Sequence, residues 1–212
     1  MINTSWQHWR PVLIATVILV ACATLSASLV GISHEKTAQQ IAENERLTLL
    51  RQLNSIVPPT QYDNDLLQDY LTLQAPKQLG STQTRVYRAQ LAGVPIAAIF
   101  SPVLARGYNG TIKLLVGIKV DGRIAGVRVI SHRETPGLGD KIEVQRHPWI
   151  NTFNGKSLQQ PSLQRWKVQR DGGDFDQFTG ATITPRAVVA AVTQTLQYFA
   201  QHQTRIFALP KE

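Results

Sequence analysis

From Pro11 to Ile32 the chain runs PVLIATVILVACATLSASLVGI, apolar or small throughout and without a charged residue. About 20 such residues carry a helix across the hydrocarbon core of a bilayer, so one membrane span is expected here. From Glu35 to Ile56 the pattern changes, with Ile41, Leu47, Leu50, Leu53 and Ile56 recurring at near-helical spacing among polar residues. That spacing predicts an amphipathic helix leaving the membrane, stopped by Pro58 and Pro59. Tyr62 to Leu73, rich in Asp, Leu and Tyr, reads as a weaker helical or turn segment with a packing role.

Past Thr84 the pattern is that of strands. Val86–Leu91 and Pro95–Phe100 flank Ala92 and Gly93 as in a hairpin. Thr111–Val120 and Arg123–Ser131 flank Asp121-Gly122, the dipeptide best suited to a two-residue type I′ turn with positive φ at both positions. These four segments predict an antiparallel sheet. A Gly-rich loop follows, then a helix around Lys141–Phe153, a short strand near Trp166–Val168, and a second loop ending in a helix from Pro185 to Gln201. The fold class is therefore α+β, an N-terminal transmembrane helix followed by an antiparallel-sheet domain with flanking helices. Its expected parts are a tail and anchor over 1–33, the amphipathic helix and a connecting segment over 34–83, and the folded domain over 84–212.

A length of 212 residues fits one domain plus this extra segment. The apolar run is longer than the ~7–15 residues of a signal-peptide core. Leu19, Val20, Ala21 and Cys22 resemble a lipoprotein box, but apolar sequence continues beyond Cys22. An uncleaved anchor is preferred on both grounds. An early single span suits a short cytoplasmic tail and an exported C-terminal domain, although Arg10 before it and Lys36 and Arg46 after it bias the choice little. Trp6 and Trp9 fit the interfacial aromatic belt. The single cysteine lies in the span, which leaves the rest without a disulfide, iron–sulfur or zinc-thiolate option. Redox chemistry there needs an organic cofactor. The net charge of +8 is dispersed rather than gathered in runs, so it makes no nucleic-acid footprint and reads as a basic surface facing anionic lipid or an acidic partner.

Two loops carry candidate chemistry. The first reads DGGDFDQFTGATITPRAVVAAV. Thr184 suits an N-cap and Pro185 a first helical position, so Thr179–Thr184 delivers backbone N–H groups to a helix start. Gly180 and Ala181 allow close approach of a ligand. Residues alone lead to an anion site, with a plain capped turn as the alternative. The second loop is Ser131-His132-Arg133-Glu134-Thr135-Pro136-Gly137-Leu138-Gly139-Asp140-Lys141, in which Pro136, Gly137 and Gly139 offer a fixed backbone that can lie against an aromatic ring with Leu138 exposed to it. Its alternative is an ordinary turn after a strand. No nucleophile, base and orienter come together: Ser131 and His132 are strand neighbours pointing to opposite faces, and His147 and His202 stand alone. No catalytic residue and no metal site is expected.

The stretch Asp176-Gln177-Phe178-Thr179-Gly180-Ala181-Thr182 resembles the flavinylation signature of the covalent FMN-binding domain family, in which the last threonine accepts FMN. HRETPGLGDKIE resembles the loop of that family that packs against the flavin, and Gly107-Tyr108-Asn109-Gly110 before TIKLLVGI resembles its pattern at the start of a sheet strand. With the anchor and amphipathic helix, the resemblance covers nearly the whole chain. It points to the G-subunit family of the bacterial Rnf or Rsx electron-transport complexes, which are ion-translocating ferredoxin:NAD oxidoreductases.

The resemblance implies covalent FMN on Thr182, attached by a flavin transferase that uses FAD as donor with Mg²⁺. Asp176 would orient the threonine or hold that metal during attachment. Around the cofactor it implies Thr179, Gly180, Ala181, Glu134, Thr135, Pro136, Gly137, Leu138, Gly139, Lys141 and Tyr108, with Leu138 covering the isoalloxazine. Arg133 or Lys141 would be the cation that favours a reduced, anionic flavin. It implies an inner-membrane, single-pass protein with its FMN domain in the periplasm, partnered by membrane and iron–sulfur subunits and by membrane lipid. The rival readings are the C subunit of a sodium-pumping NADH:quinone oxidoreductase, for which the chain is short, and an anchored module that binds a phosphate ligand without redox chemistry.

Overall fold

The computed structural model describes residues 6–208. The chain divides into two compact units, Met1–Leu49 and Leu50–Glu212. In the first, helix α1 (Trp6–Asn54) begins at the expected span and runs on into the second unit. Residues Pro11–Ser28 have a mean hydropathy of 2.1 and are long and apolar enough to cross a membrane. Side-chain oxygens of Thr16, Thr24 and Ser28 bond back to carbonyls one turn earlier, so these hydroxyls place no unpaired polar group on the apolar surface. Trp9 is exposed, whereas the side chains of Trp6, Arg10 and Lys36 lie outside the described residues. The anchor and the amphipathic segment, expected as separate helices, form one, since no Gly or Pro separates Ile32 from Glu35.

The second unit is built on a five-stranded antiparallel meander in the order β1 (Tyr70–Leu73), β2 (Thr84–Leu91), β3 (Val94–Arg106), β4 (Thr111–Lys119), β5 (Ile124–Ser131). Four strands were expected. The fifth, β1, lies in the stretch read as helical or turn, and is too short for an alternating pattern to declare it. A short helix α2 (Pro76–Leu79) links β1 to β2.

The two hairpin turns reverse the expectation. Ala92 and Gly93 have φ of 51° and 75° and close the two-residue β2–β3 turn, the positive pair that a type I′ turn needs. In the β4–β5 turn only Gly122 has positive φ. Asp121 instead accepts a hydrogen bond from the Arg123 N–H at 3.0 Å, and Gly122 N–H donates to the Lys119 carbonyl. The Asp side chain thus stabilises a turn with one left-handed residue rather than two.

Both sheet faces are covered. Helix α3 (Ile183–Phe207) lays Val188, Val192, Thr195, Leu196 and Phe199 at helical spacing over Phe100, Leu114, Val116 and Val127. Phe100 meets Tyr198 and Phe199 edge-on, each at 6.4 Å. On the opposite face the end of α1 supplies Leu53, followed by Ile56 and Val57, all buried. Gly117 and Gly126 pair directly across β4 and β5 to admit Ile56: a Cβ on Gly117 would stand 2.2 Å from Ile56 Cγ2.

Between β5 and α3 the expected helix and strand are absent. Pro148 interrupts the first, and Gly139–Ile142 and Pro148–Phe153 form 3₁₀ turns; the second is a single bridge, Val168 to Phe175. Trp149, Phe153, Trp166, Phe175 and Phe178 hold this segment together, with centroid separations from 4.7 Å for Phe153–Phe175 to 6.2 Å for Phe153–Trp166. Helix α3 runs from Ile183 to Phe207, longer than expected at both ends, and its C-terminal carbonyl at Ala208 accepts a bond from Arg88 Nη1 at 2.8 Å.

Candidate functional site

Three separate stretches of sequence meet at the N-terminus of α3. Glu134, buried just beyond β5, is the joint: Oε1 accepts the Asn109 N–H at 3.0 Å, and Oε2 accepts the Tyr108 N–H at 3.2 Å and the Thr184 hydroxyl. One carboxylate therefore ties the β3–β4 turn, the post-β5 loop and the first turn of α3. Its surroundings leave no room for side chains. A Cβ on Gly107 would lie 2.4 Å from Glu134 Oε1, and one on Gly139 would lie 2.8 Å from Glu134 Cβ.

Thr135, Pro136, Gly137 and Leu138 form a turn closed by Leu138 N–H to the Thr135 carbonyl at 3.1 Å, with φ of 78° at Gly137. Proline fixes the second position and glycine accepts the positive φ of the third, the signature of a type II turn. It projects Leu138, which stays 41% exposed. A second turn, Phe178 to Ala181, is closed by the Ala181 N–H and has φ of 81° at Gly180.

Between these turns opens a cavity of about 450 Å³, within the usual range for small-molecule sites. Of the expected residues, Tyr108, Glu134, Thr135, Leu138, Gly139, Gly180, Ala181 and Thr182 line it. Pro136 and Gly137 shape the turn behind Leu138. Asp176 and Thr179 are exposed outside the wall, with Asp176 accepting a bond from Gln169 Nε2 at 2.6 Å. Arg133 and Lys141 do not line the cavity. The cation that does is Arg170, which no sequence motif singles out.

Thr182, not Thr184, is the N-cap of α3, and its side chain makes no capping hydrogen bond. Thr184 lies inside the first turn with its hydroxyl on Glu134, so it is structural. The N–H groups of Ile183 and Thr184 meet no acceptor among the described residues. A free hydroxyl, unused amide donors and the positive end of a 25-residue helix thus converge on one cavity edge. These are the groups a covalently held phosphate needs, and the apolar Leu138, Ile183 and Tyr108 beside them suit a planar ring.

Comparison with known proteins agrees. A family model for an FMN-binding domain matches residues 107–197, and one described as the RnfG N-terminal region matches residues 1–56. The chain is 46% identical over 194 residues to the G subunit of the ion-translocating oxidoreductase complex of Vibrio atlanticus, covering 91% of this chain and 92% of the relative. It is 42% identical to the corresponding G subunit of Shewanella oneidensis over 95% of both chains. For the G subunit of Pseudomonas aeruginosa the identity is 44%, over 96% of this chain and 95% of the relative. The chain belongs to the G-subunit family of ion-translocating oxidoreductase complexes.

In this member of the G-subunit family, the 3₁₀ turn Gln169–Asp171 beside the cavity is tethered to the helix. Arg186 of α3 holds Asp171 through two hydrogen bonds of 2.6 and 2.9 Å, and its guanidinium lowers the Asp171 carboxyl below the usual carboxylate range. The adjacent Arg170 has its N–H on Gln177 Oε1 at 3.1 Å. The isolated histidines hold backbone. His132 Nδ1 accepts the Glu134 N–H at 3.0 Å while Nε2 meets Glu143 at 2.8 Å, and His147 Nδ1 accepts the Trp149 N–H at 3.1 Å. His202 stacks on Tyr198. The only sequence signal for Arg170 is its place in the loop before the flavinylation signature, and no periodicity marks it.

Proposed function

We propose that this chain is the flavin-carrying electron relay of a membrane-bound, ion-translocating complex, holding FMN through a phosphoester to Thr182 Oγ1. The observation that carries this reading is the position of Thr182, an N-cap with an unbonded hydroxyl at the edge of the cavity. A phosphodiester there keeps one negative charge, favoured by the Ile183 and Thr184 N–H groups and by the helix dipole. When bound, FMN supplies the electron-transfer chemistry.

The protein's part is position and electrostatics. Leu138, Tyr108 and Ile183 give an apolar wall that excludes water from the ring. Glu134 locks the three segments that bear this wall. Arg170 brings a positive charge to the cavity and favours negative charge on its occupant, taking the role expected of Arg133 or Lys141. Arg170→Gln should lower the flavin midpoint potential, whereas Arg133→Gln should leave it unchanged; redox titration of the two variants measures both.

Maturation calls for a flavin transferase with FAD as donor. Asp176 and Thr179, exposed beside the turn, are accessible to it. The G-subunit names of the relatives support membership of a multi-subunit ion-translocating oxidoreductase complex, and we infer that its partners there are further membrane and iron–sulfur subunits. The single apolar span supports a bilayer anchor, and we infer that the FMN domain faces the periplasm. In the assembled complex, Thr182→Ala should leave assembly intact and reduce electron throughput to background. Full throughput from the assembled variant would refute the relay.

A further inference from the structure

Glu134 joins the three stretches of the cavity through its carboxylate, and its own backbone is held in turn by His132. The Glu134 N–H donates to His132 Nδ1 at 3.0 Å. A backbone N–H can only donate, so Nδ1 presents its lone pair and the proton of the neutral ring lies on Nε2. That proton faces Glu143 Oε1, 2.8 Å away. One neutral tautomer therefore satisfies both contacts, and the other satisfies neither. The His132 side chain is only 10% exposed and Glu134 is buried, so water does not stand in for either partner. His147 makes the same two-residue loop to the Trp149 N–H, but it is exposed and meets no carboxylate among the described residues.

Protonation of His132 puts a second N–H on the ring, at Nδ1, where it meets the Glu134 N–H donor to donor. The acceptor is lost, and a buried N–H is left without one. Glu143 accepts from Nε2 in either charge state, so the ring stays in place and the Glu134 peptide has to move. With it go the carboxylate bonds to the Tyr108 and Asn109 N–H groups and to the Thr184 hydroxyl. Asn109 Nδ2 also donates to the Arg133 carbonyl at 2.6 Å, so the β3–β4 turn follows the same backbone. Charged groups surround the ring: Glu143 at Nε2, and Arg133 and Lys113 of β4 around the depression they share with His132. Arg146 stands 3.4 Å from both Glu143 and Asp140, and Arg51 and Arg128 border the depression that Glu143 lines.

We propose that His132 is a positioning residue for the cavity and makes its closure pH-dependent: the neutral Nε2–H ring holds Glu134, and with it the Tyr108 and Thr184 walls, and the imidazolium releases them. That the released cavity uncovers a flavin rests on the function proposed above, while the release itself does not.

The test uses the full isotope-labelled chain in nanodiscs of neutral phosphatidylcholine, without flavin. NMR follows the His132 ring nitrogens and hydrogen exchange at the Tyr108, Asn109 and Glu134 amides, corrected for its intrinsic pH dependence. The pH is lowered from about 8 to about 5, the range in which histidine changes charge. The ring should start as the Nε2–H tautomer. As it protonates, exchange at the three amides should quicken by roughly tenfold with the ring's own midpoint, as for the loss of a buried hydrogen bond. His132→Gln offers an oxygen to Glu134 and an N–H to Glu143 without titrating, so it should hold the slow-exchange state throughout. His132→Ala should show fast exchange throughout. An Nδ1–H tautomer would overturn the proposal, as would a ring that keeps one charge state over this range. So would amides at Tyr108 and Asn109 that ignore the ring's midpoint, or a transition that persists in His132→Gln. On the flavinylated protein, iodide quenching of flavin fluorescence should rise across the same transition in the wild type and stay level in His132→Gln. Amide release with unchanged quenching would keep the positioning role and contradict the placement of the flavin in this cavity.

Discussion

Glu134 and Thr184 show how one residue pair organises the cavity. Thr184→Val removes the hydroxyl donor and leaves a buried carboxylate oxygen short of a partner, a change that costs about 1–3 kcal/mol. Urea unfolding should register that loss, and flavin content should fall with it because the first turn of α3 is no longer pinned. The Asp171–Arg186 tether is pH-dependent in a definite direction. The hydrogen bond from Arg186 depresses the Asp171 pKa, so the stabilisation is fully present above the unfolded Asp value of ~3.9 and is lost as pH falls through the lower folded value. An NMR titration of the Asp171 carboxyl should show this depression, and Arg186→Ala should return it to the ordinary range. At this scale the sequence was partly legible. Thr182, Leu138 and Glu134 stood inside recognisable motifs, but Arg170 did not. The N-cap was displaced by two residues because Thr182 and Thr184 have equal capping chemistry, and only the buried position of Glu134 decides between them.

Four strands could be read because each is a run of apolar and β-branched residues bounded by turn signals, and the C-terminal helix because it buries one face at helical period. The elements that could not be read owe their form to something other than period. Strand β1 is four residues long and is held by pairing with β2. The stretch from Gly139 to Thr182 is held by stacked aromatics, whose spacing follows no helix or strand repeat. The seating of α1 on the sheet is testable at Gly117, where a side chain collides with Ile56. Gly117→Val should destabilise the domain by about 1–3 kcal/mol in thermal or urea unfolding. Combining it with Ile56→Ala should cost less than the sum of the two single changes, since the space vacated by one is filled by the other.

For the whole molecule, the apolar span, the single cysteine within it and the basic folded unit divide the work: the N-terminal helix anchors, and the domain holds a cofactor that its own side chains cannot replace. Family membership fixes the kind of assembly, and the cavity at the start of α3 supplies a physical reason for the covalent attachment proposed there. The most direct measurement is intact mass with peptide mapping on protein exported in the presence of a flavin transferase, beside a Thr182→Ala variant treated identically. The account predicts a mass increase of FMN minus water in the wild type, carried by the peptide containing Thr182, and none in the variant. An unmodified wild type under conditions that flavinylate a control protein, or an equal increase in the variant, would contradict it.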